Sequence, residues 1–431
     1  MAGTEFDVVI SGGGLSGLLT AIGLLNESPD ISLAIIEPVV ATPLNEVQAN
    51  FDGRCIALSY GSLQLLNHWQ IWPELKPLSW PIKTIVTSDR GHIGKTIMKA
   101  DDYGLNAMGH VAEMRNMGQV FQQTLARLDN NKSDNKRVHW FNPDAITKLN
   151  QTQDAIHLAL SSGRQLQAKL LVVAEGGWSG TRELLGLQTE KSDYPQSAVI
   201  ANVKVKGAEK KLSLLLRRAS EDQADLAHHV AFERFTTSGP IALLPIGEQE
   251  YSLVWTDTPE RAAENVKLSP KDFLRRLQAD FGFAAGEFVS MSEPAIYPLS
   301  LIKTRQLFNG RGLVLGNSAH TVHPIAGQGF NLGLRDIAVL VNEISQAHKQ
   351  AQDIGAFQVL HAFESNRLQD IDRITGFTDL LVRGFALKGR IPAATRTLGL
   401  MTLQKCDGLQ QWLALHFMSS GSLNNIPQLS H

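Results

Sequence analysis

The sequence has little cysteine and no surplus of basic residues. Its 431 residues include only Cys55 and Cys406, which excludes a disulfide framework and suits a reducing compartment. The formal net charge of −2 argues against a nucleic-acid partner, because neutralising phosphates requires excess positive charge. No run of eighteen apolar residues and no export signal is visible, so we expect a cytoplasmic protein without a membrane span.

The first forty residues predict a β-α-β unit. Val8 to Ile10 form a short apolar strand, residues 15–26 carry apolar side chains at helical spacing, and residues 31–37 form a second apolar strand. Such a unit has parallel strands and a right-handed crossover. Two more apolar runs end in glycine-rich turns, at 166–177 and 310–317, so we predict an α/β fold with one sheet assembled from distant parts of the chain.

The middle and the end of the chain have a different pattern. Residues 195–300 contain alternating or aromatic-rich runs bounded by turn residues, which predict antiparallel strands of an inserted domain. From about residue 335 onward the apolar spacing is helical.

Gly12, Gly14 and Gly17 form the pattern G-x-G-x-x-G between the first strand and the first helix. The first glycine permits a tight turn, the second lets the backbone approach a pyrophosphate, and the third lets helix and strand pack closely. Glu37 ends the next strand, where it can accept a hydrogen bond from a ribose hydroxyl. Strand, helix, strand and acid together favour a dinucleotide site over a glycine-rich turn without a ligand.

Two other stretches allow two interpretations each. Arg54 precedes a helical run and could pair with a pyrophosphate, or it could be a solvated surface arginine. Glu175 and Gly176 end a strand and resemble a second nucleotide-binding turn. The same residues could instead precede a helix that Ser179 caps.

The order of four motifs resembles a known family. GGGLSG, DGRCIALS, EGGWSGTR and GNSAHTVHPIAGQGFNLGLRD occur here as they do in the FAD-dependent aromatic hydroxylases of the para-hydroxybenzoate hydroxylase type. The likeness runs across nearly the whole chain and is greatest to the ubiquinone-biosynthesis branch, in particular to hydroxylases of 2-polyprenyl-6-methoxyphenol. It implies a Rossmann-like FAD-binding domain of the GR2 flavoprotein type, an inserted antiparallel-sheet substrate domain, and C-terminal helices.

The resemblance also implies domain boundaries. Residues 1–75, 111–190 and 301–345 would form the FAD-binding domain, residues 76–110 and 191–300 the substrate domain, and residues 346–431 a C-terminal helical region.

Cofactor contacts are implied around the last motif. Asn317 would bind the ribityl chain, although relatives carry aspartate there, and asparagine keeps an acceptor while adding donors. Pro324 would lie against the flavin ring. The backbone of Gly327, Gln328 and Gly329 would face the flavin's N1 and C2 carbonyl region, and Asn331 would follow at the start of a helix.

Two positions depart from the family pattern. Glu175 stands where relatives have aspartate, so the expected part of this turn in NAD(P)H binding is open to question. Gln119 matches a glutamine that contacts the cofactor, whereas Arg115 lies one position from the usual arginine, at Asn116.

The family chemistry implies FAD, NADPH or NADH as electron donor, and O2 as co-substrate. A C4a-hydroperoxyflavin would transfer one oxygen atom to a phenol, with His323 as the candidate polar group near the ring, alongside Pro324 and Gln328. A metal between His320 and His323 is disfavoured, because no third ligand is suitably spaced. Apolar side chains that could exclude water, or could equally be plain core, are Phe232, Phe235, Leu244, Pro245 and Trp255.

The expected substrate is a hydrophobic polyprenyl phenol, so we expect contact with the inner face of a membrane or with other ubiquinone-biosynthesis proteins. Arg383, Lys388, Arg390 and Arg396 lie among apolar residues, a mixture that can bind a bilayer surface or can belong to helices packed on the flavin domain. Two alternative functions use the same fold: a flavin-dependent prenyl-lipid reductase or dehydrogenase, and a non-catalytic subunit of a biosynthetic complex.

Overall fold

The structure is a computed structural model that describes residues 4–40, 53–91, 94–130, 136–207, 228–323 and 327–386, with side chains described to residue 380.

Strands of two or more residues make up much of the described chain. They are β1 Thr4–Ser11, β2 Leu33–Ile36, β3 Cys55–Ser59, β4 Ser79–Ile82, β5 Thr84–Asp89, β6 Lys95–Lys99, β7 Gly109–Glu113, β8 Val138–Phe141, β9 Ile146–Gln151, β10 Ile156–Leu160, β11 Gln165–Val173, β12 Thr189–Lys206, β13 Val230–Phe235, β14 Pro240–Gly247, β15 Glu250–Asp257, β16 Glu287–Met291, β17 Ala295–Thr304, β18 Phe308–Asn309, β19 Gly312–Val314 and β20 His320–Thr321.

Helices connect these strands and follow them at the C-terminal end. They are α1 Leu15–Glu27, α2 Tyr60–His68, α3 Trp72–Leu75, α4 Met114–Asn130, α5 Gly180–Leu184, α6 Pro259–Asn265, α7 Pro270–Phe281, α8 Gln328–Lys349 and α9 Phe357–Ala386, and short 3-10 turns occur at Lys76–Leu78, Ala100–Tyr103 and Gly316–Ser318.

The first sheet confirms the predicted α/β fold. Its strands run β18-β19-β11-β1-β2-β8, and every pair from β19 to β8 is parallel. Strands distant in sequence are therefore neighbours, as the glycine-terminated apolar runs predicted. β9 and β10 extend the sheet as an antiparallel hairpin beside the first half of β11.

The core of this region lies between the sheet and its helices. α1 packs against α4 and α8. The β1 residues Val8, Val9 and Ile10 are fully buried, as is Leu18 of α1. Fully buried apolar strands with helices against them are the usual arrangement in a parallel sheet.

The second sheet has nine strands in the order β20-β17-β12-β15-β14-β13-β5-β6, with β16 beside β12. Its pairs are antiparallel, as predicted, except that β13 and β5 are parallel. One face packs on α7, where Trp255 contacts Phe273 and Phe232 contacts Phe281 edge to face. Phe232 and Trp255 are therefore core residues, and the water-excluding role considered for them does not fit their position.

A three-stranded sheet, β3-β7-β4, lies between the two larger ones. Its β4 contacts β14 of the second sheet, and β3 contacts α8 of the first. Residues 84–99 share the second sheet with residues 189–304, whereas β20 joins the second sheet from within the stretch 301–345. The domain boundaries inferred from the sequence stay predictions.

Helix α9 is the last element of the described chain. No helix within the described ranges combines the length and apolar character that crossing a bilayer requires. Lys388, Arg390 and Arg396 lie outside the described residues, as does the side chain of Arg383.

Candidate cofactor site

Three glycine-containing turns leave the same edge of the first sheet. Ser11 at the end of β1 lies beside Val173 of β11, and Val173 lies beside Val314 of β19. The next residues are Gly12, Ala174 and Leu315, so the turns that follow these strands are neighbours. We call the set Gly12–Gly17, Glu175–Gly176, Gly316–Ser318 and Gly327–Gly329 the glycine cradle.

The first turn requires glycine at two positions. Gly12 has a φ of +111°, and a Cβ there would lie 2.6 Å from the Ala174 carbonyl oxygen. A Cβ on Gly17 would lie 1.9 Å from the Gly12 carbonyl oxygen, so α1 could not pack against the turn. A Cβ on Gly14 would meet no protein atom within 4 Å, so this glycine faces open space at the N-terminus of α1.

The N-terminus of α1 suits a pyrophosphate. α1 has 13 residues and no acidic residue in its first turn. Its first backbone N–H groups have no partners within the helix, and they combine with the helix dipole to favour an anion. The open space at Gly14 gives a ligand access to these groups. This turn therefore fits the diphosphate of FAD.

Glu37 is buried at the end of β2. Its carboxylate accepts hydrogen bonds from the Gly13 N–H at 2.6 Å and from the Val39 N–H at 3.0 Å. An ionised carboxylate can accept about four hydrogen bonds, so acceptor positions remain for a ribose hydroxyl. Glu37 both shapes the turn and suits the predicted ribose contact.

The carboxylate of Glu175 is occupied by protein groups. It accepts hydrogen bonds from the hydroxyls of Ser11 and Thr181, from the Ser179 hydroxyl at 2.7 Å and from the Thr181 N–H at 3.2 Å. Ser179 caps α5, as one of the two interpretations expected, by accepting from the Arg182 N–H at 3.1 Å. Glu175 thus holds α5 against the end of β1.

Gly176 and Ser318 join the second and third turns. The Gly176 N–H donates to the Ser318 hydroxyl at 3.0 Å, and this hydroxyl donates to the Gly176 carbonyl at 3.1 Å. Gly316 has a φ of +55°, and its N–H donates to Asp336 of α8 at 2.9 Å. Asn317 is exposed between these two fixed residues.

The fourth turn precedes α8. Gly327 has a φ of +62°, and a Cβ there would lie 3.1 Å from the Ala57 Cβ. Asn331 fixes this turn, because its amide donates to the carbonyls of Gly327 at 2.7 Å and Ala57 at 2.8 Å. Its amide oxygen accepts from the Ser59 N–H and the Ser62 hydroxyl. The four hydrogen bonds of Asn331 are all made to protein, so it shapes the Gly327 turn through its own contacts.

The other predicted residues lie on α8, on α4 and directly before β3, except Pro324. Gln328 is buried in the first turn of α8, and Gly329 follows it beside Val322. The Arg54 guanidinium lies 5.1 Å from the ring centre of Tyr297 on β17. Gln119 is half-buried on α4. Pro324 lies outside the described residues.

His323 and His320 have different surroundings. His323 is buried edge to face against Tyr194, with 5.3 Å between ring centres, and neither ring nitrogen has a hydrogen-bond partner among the described residues. Burial lowers the pKa of His323 to about 4, so its ring is neutral at pH 7. His320 is bound to the Asp336 carboxylate at 2.6 Å. Within the described ranges no three residues are arranged to hold a metal ion.

The face of the second sheet that points away from α7 is a candidate for a substrate wall. Leu244 and Ile246 of β14 are half-buried there and pack against Ile82, Val111 and Ala231. The partly buried Ala57, which lies beside Gly327, packs against the same group. Pro245, next to Leu244 on β14, and Phe235, which pairs with Pro240 at the start of β14, are both buried. Leu244 is thus the predicted wall residue whose position suits that role.

Comparison with known proteins gives the family. The sequence pattern of FAD binding domains matches residues 5–378. The chain belongs to this family. Among the described residues, the open backbone at Gly14 and the N-terminus of α1 lie at the sheet edge that also carries the exposed Asn317, so the cradle fits the cofactor on its own geometry.

Three relatives match over nearly the whole chain. The protein slr1300 of Synechocystis sp. is 32% identical over 99% of this chain and 95% of its own length. The ubiquinone biosynthesis monooxygenase COQ6 of Mus musculus is 28% identical over 95% of this chain and 90% of its own length. The 3-demethoxyubiquinol 3-hydroxylase of Escherichia coli is 25% identical over 95% of this chain and 98% of its own length.

A solved structure has the same fold. The p-nitrophenol 4-monooxygenase PnpA of Pseudomonas putida has a TM-score of 0.74 at 16% identity, over 98% of this chain and 99% of that one. The family and the relatives together make this chain an FAD-dependent monooxygenase of the hydroxylase class. Asp336 and Arg367, which form hydrogen bonds next to the third turn, were not singled out from the sequence, although Asp336 lies at the end of the motif GNSAHTVHPIAGQGFNLGLRD.

Proposed function

We propose that this chain hydroxylates the ring of a polyprenylated phenol in ubiquinone biosynthesis, with 2-polyprenyl-6-methoxyphenol as its substrate. NADPH or NADH would supply the electrons and O2 the oxygen atom. The observation that supports this most is the meeting of three glycine-containing turns at one sheet edge, in a chain whose relatives include enzymes named for ubiquinone biosynthesis.

The bound cofactor would supply the redox chemistry, in which O2 is reduced and one of its oxygen atoms is transferred to the ring. The chain itself would bind, orient and enclose. The N-terminus of α1 and Glu37 would hold the diphosphate and ribose, and Asn317 would bind the ribityl chain. The first turn of α8 would place the N–H end of a 22-residue helix toward the flavin, where negative charge is favoured.

The phenol ring would lie between the Gly327 turn and the β14 face that carries Leu244 and Ile246. This apolar face would exclude water from the reacting ring. Exclusion matters because water would otherwise divert the activated oxygen into side reactions. His323 would accept a hydrogen bond from the phenol hydroxyl. A pKa of about 4 makes its ring a poor proton acceptor, so the orienting role suits it better than the role of base.

The prenyl tail gives a reason for peripheral membrane contact. A substrate this apolar partitions into lipid, so the enzyme would meet it at a bilayer surface or through other proteins of the pathway. The basic and apolar stretch that contains Arg383, Lys388, Arg390 and Arg396 remains our candidate for this contact.

Turnover with isotopic oxygen tests the proposal. The purified full chain, loaded with FAD, is incubated with NADPH or NADH, a short-chain prenyl methoxyphenol in detergent, and 18O2. We expect one 18O atom in the product and NAD(P)H oxidation that depends on the phenol. Reduction of the lipid without 18O would instead favour a reductase, and bound FAD that neither nucleotide reduces would favour a non-catalytic subunit.

The ring position needs a separate experiment. One relative is named for a 3-hydroxylase acting on demethoxyubiquinol, so neighbouring ring carbons are the main competitors. Deleting the gene and identifying the quinone precursor that accumulates shows which step of the pathway the enzyme catalyses. Accumulation of 2-polyprenyl-6-methoxyphenol supports the proposal, whereas accumulation of a different precursor or an unchanged quinone pool contradicts it.

A further inference from the structure

Helix α9 is linked, through one residue in each case, to both ends of the segment 316–323, which carries the third turn of the glycine cradle. One contact is a buried charged network that reaches Gly316, and the other is an aromatic contact that reaches His323. α9 lies far from this segment in sequence, so these contacts are tertiary. They give the helix a means of setting the position of the turn that we assign to the cofactor.

The first contact is centred on Asp336 of α8. One carboxylate oxygen accepts from the Gly316 N–H at 2.9 Å and from His320 Nε2 at 2.6 Å. The other accepts from Arg367 Nε of α9 at 2.8 Å. Asp336 thus joins the turn to α9 through a single side chain. Its side chain is 1% exposed and that of Arg367 is 2% exposed.

The network closes with a second acid and a second arginine. Asp370 of α9 accepts from Arg367 Nη1 at 2.7 Å and from Arg335 Nε of α8 at 2.9 Å. Two carboxylates and two guanidinium groups balance in charge. Burial raises the pKa of Asp336, but its interactions with His320, Arg367 and the Gly316 N–H outweigh that effect and hold the pKa down, at about 2. Removing one charge would leave its partners buried and unpaired.

The second contact reaches the far end of the segment. Tyr194 of β12 packs edge to face on His323, and its hydroxyl donates to Asp379 of α9 at 3.3 Å. Between the two ends, Lys303 of β17 lies beside His320 in the strand ladder and forms an ion pair with Asp372 of α9. α9 is therefore linked to the segment at three places, each time through one intermediate residue: Asp336, Lys303 or Tyr194.

We propose that Asp336 and Arg367 are positioning residues for the cofactor: α9, through Arg367 and Asp336, fixes the Gly316 N–H and so the direction of Asn317. This inference rests on the proposed placement of FAD in the glycine cradle. An apolar pair could fill the same volume and hold the helices together, but it could not accept a hydrogen bond from the Gly316 N–H. The ionic link specifically orients the peptide of Gly316, because Asp336 Oδ2 accepts from it directly.

The test measures FAD affinity and stability separately. The apo forms of the wild type and of Asp336→Asn are titrated with FAD, following the quenching of flavin fluorescence, and each apo form is melted without FAD. We expect Asp336→Asn to raise the Kd for FAD roughly tenfold, as one badly oriented buried donor would. The visible absorption band of the bound flavin should also change its vibrational shape, which a general loss of stability would not cause.

Asp257→Asn is the matched control. Asp257 is also a fully buried carboxylate paired with an arginine, Arg261 at 3.2 Å, but it lies at the end of β15 in the second sheet. We expect it to lower the melting temperature of the apo form while leaving the Kd for FAD within about twofold. Equal Kd values for the two variants would overturn the inference and leave FAD binding itself intact.

Arg367→Lys covers the case in which Asp336→Asn does not fold. Lysine keeps the positive charge, but its single ammonium cannot copy the two-sided contact of the guanidinium with Asp336 and Asp370. We expect a Kd for FAD that rises roughly threefold or more, with a smaller loss of stability. An unchanged Kd and flavin spectrum in this variant would overturn the inference. A wild-type chain that took up no FAD would instead contradict the proposed function.

Discussion

Ser318 and Gly176 exchange a pair of hydrogen bonds across 142 residues of sequence, one in each direction through the Ser318 hydroxyl. Arg182 strengthens the same joint by donating to the Ser318 carbonyl at 2.9 Å and to the Gly177 carbonyl at 3.2 Å. The second and third turns of the glycine cradle are therefore one rigid unit. The first turn is joined to it by Glu175, which accepts from Ser11.

Gly14→Ala tests where the diphosphate binds. A Cβ at this position meets no protein atom within 4 Å, so the apo protein should lose about 1 kcal/mol or less. The same methyl group would stand where the backbone must approach the ligand. We expect the Kd for FAD to rise by at least about tenfold, measured by fluorescence titration of the apo protein.

Gly376→Ala is the control for that substitution. Gly376 lies within α9, and a Cβ there also meets nothing within 4 Å, so alanine should stabilise the helix by about 0.5–1 kcal/mol. Its affinity for FAD should equal that of the wild type. If Gly14→Ala bound FAD as tightly as this control, the diphosphate could not lie at the N-terminus of α1.

Glu175→Gln tests the role that the structure gives this acid. The amide would keep one acceptor oxygen and direct an NH2 group at hydroxyls that now donate to a carboxylate. We expect a loss of about 1–3 kcal/mol in the free energy of unfolding, measured with urea. The exposed Glu183 of the same short helix provides the control, and Glu183→Gln should change stability by less than about 0.5 kcal/mol. Equal stabilities would show that Glu175 does not hold α5.

The parallel sheet could be predicted from the sequence, as could the edge at which its glycine-containing turns meet, because both follow from local patterns. Apolar strands that end in glycine specify where the backbone must turn, and parallel strands place those turns together. The sequence could not assign Glu175, because a strand ending in acid and glycine is compatible with a ligand contact and with a helix tether. Only the tertiary positions of Ser11 and Thr181 distinguish them.

The two faces of the second sheet show another limit of prediction from the sequence. Alternation identifies strands, but it does not say which face meets the cofactor and which meets α7. Phe232 and Trp255 looked as suitable for a substrate wall as Leu244 did. The ion pair between Asp336 and Arg367 could likewise not be predicted, because nothing in the sequence relates a charged residue of α8 to one 31 positions later in α9.

Leu244→Ala and Leu243→Ala separate the two faces of β14. Leu243 is fully buried in the core that α7 covers, so its truncation should cost about 2–5 kcal/mol of stability with little change in catalysis. Leu244 is half-buried on the opposite face. Its truncation should lower the fraction of oxidised NAD(P)H that yields hydroxylated product by at least about twofold, since water would enter the site.

Product and hydrogen peroxide are measured together to obtain that fraction. Loss of coupling in Leu244→Ala but not in Leu243→Ala supports the placement of the phenol against Leu244. The reverse pattern would place the substrate elsewhere.

His323 should make the protein sensitive to acid. Its pKa is about 4 in the folded protein and about 6.5 when unfolded, so the unfolded state binds more protons between these values. Stability therefore rises with pH across this window and is lost as pH falls below about 6.5. Between pH 7.5 and 5 the loss from this residue should be about 2 kcal/mol.

His323→Phe keeps a ring against Tyr194 and removes the titration, so it should reduce the loss of stability between pH 7.5 and 5 by about 2 kcal/mol, measured by urea unfolding at each pH. Some loss should remain, because burial also lowers the pKa of His110 to about 4. His157 is exposed on β10, and His157→Phe shows what losing any histidine does. Equal pH dependence in the wild type and His323→Phe would mean that His323 is not buried as a neutral ring, and its assignment as a hydrogen-bond acceptor for the phenol would then be wrong.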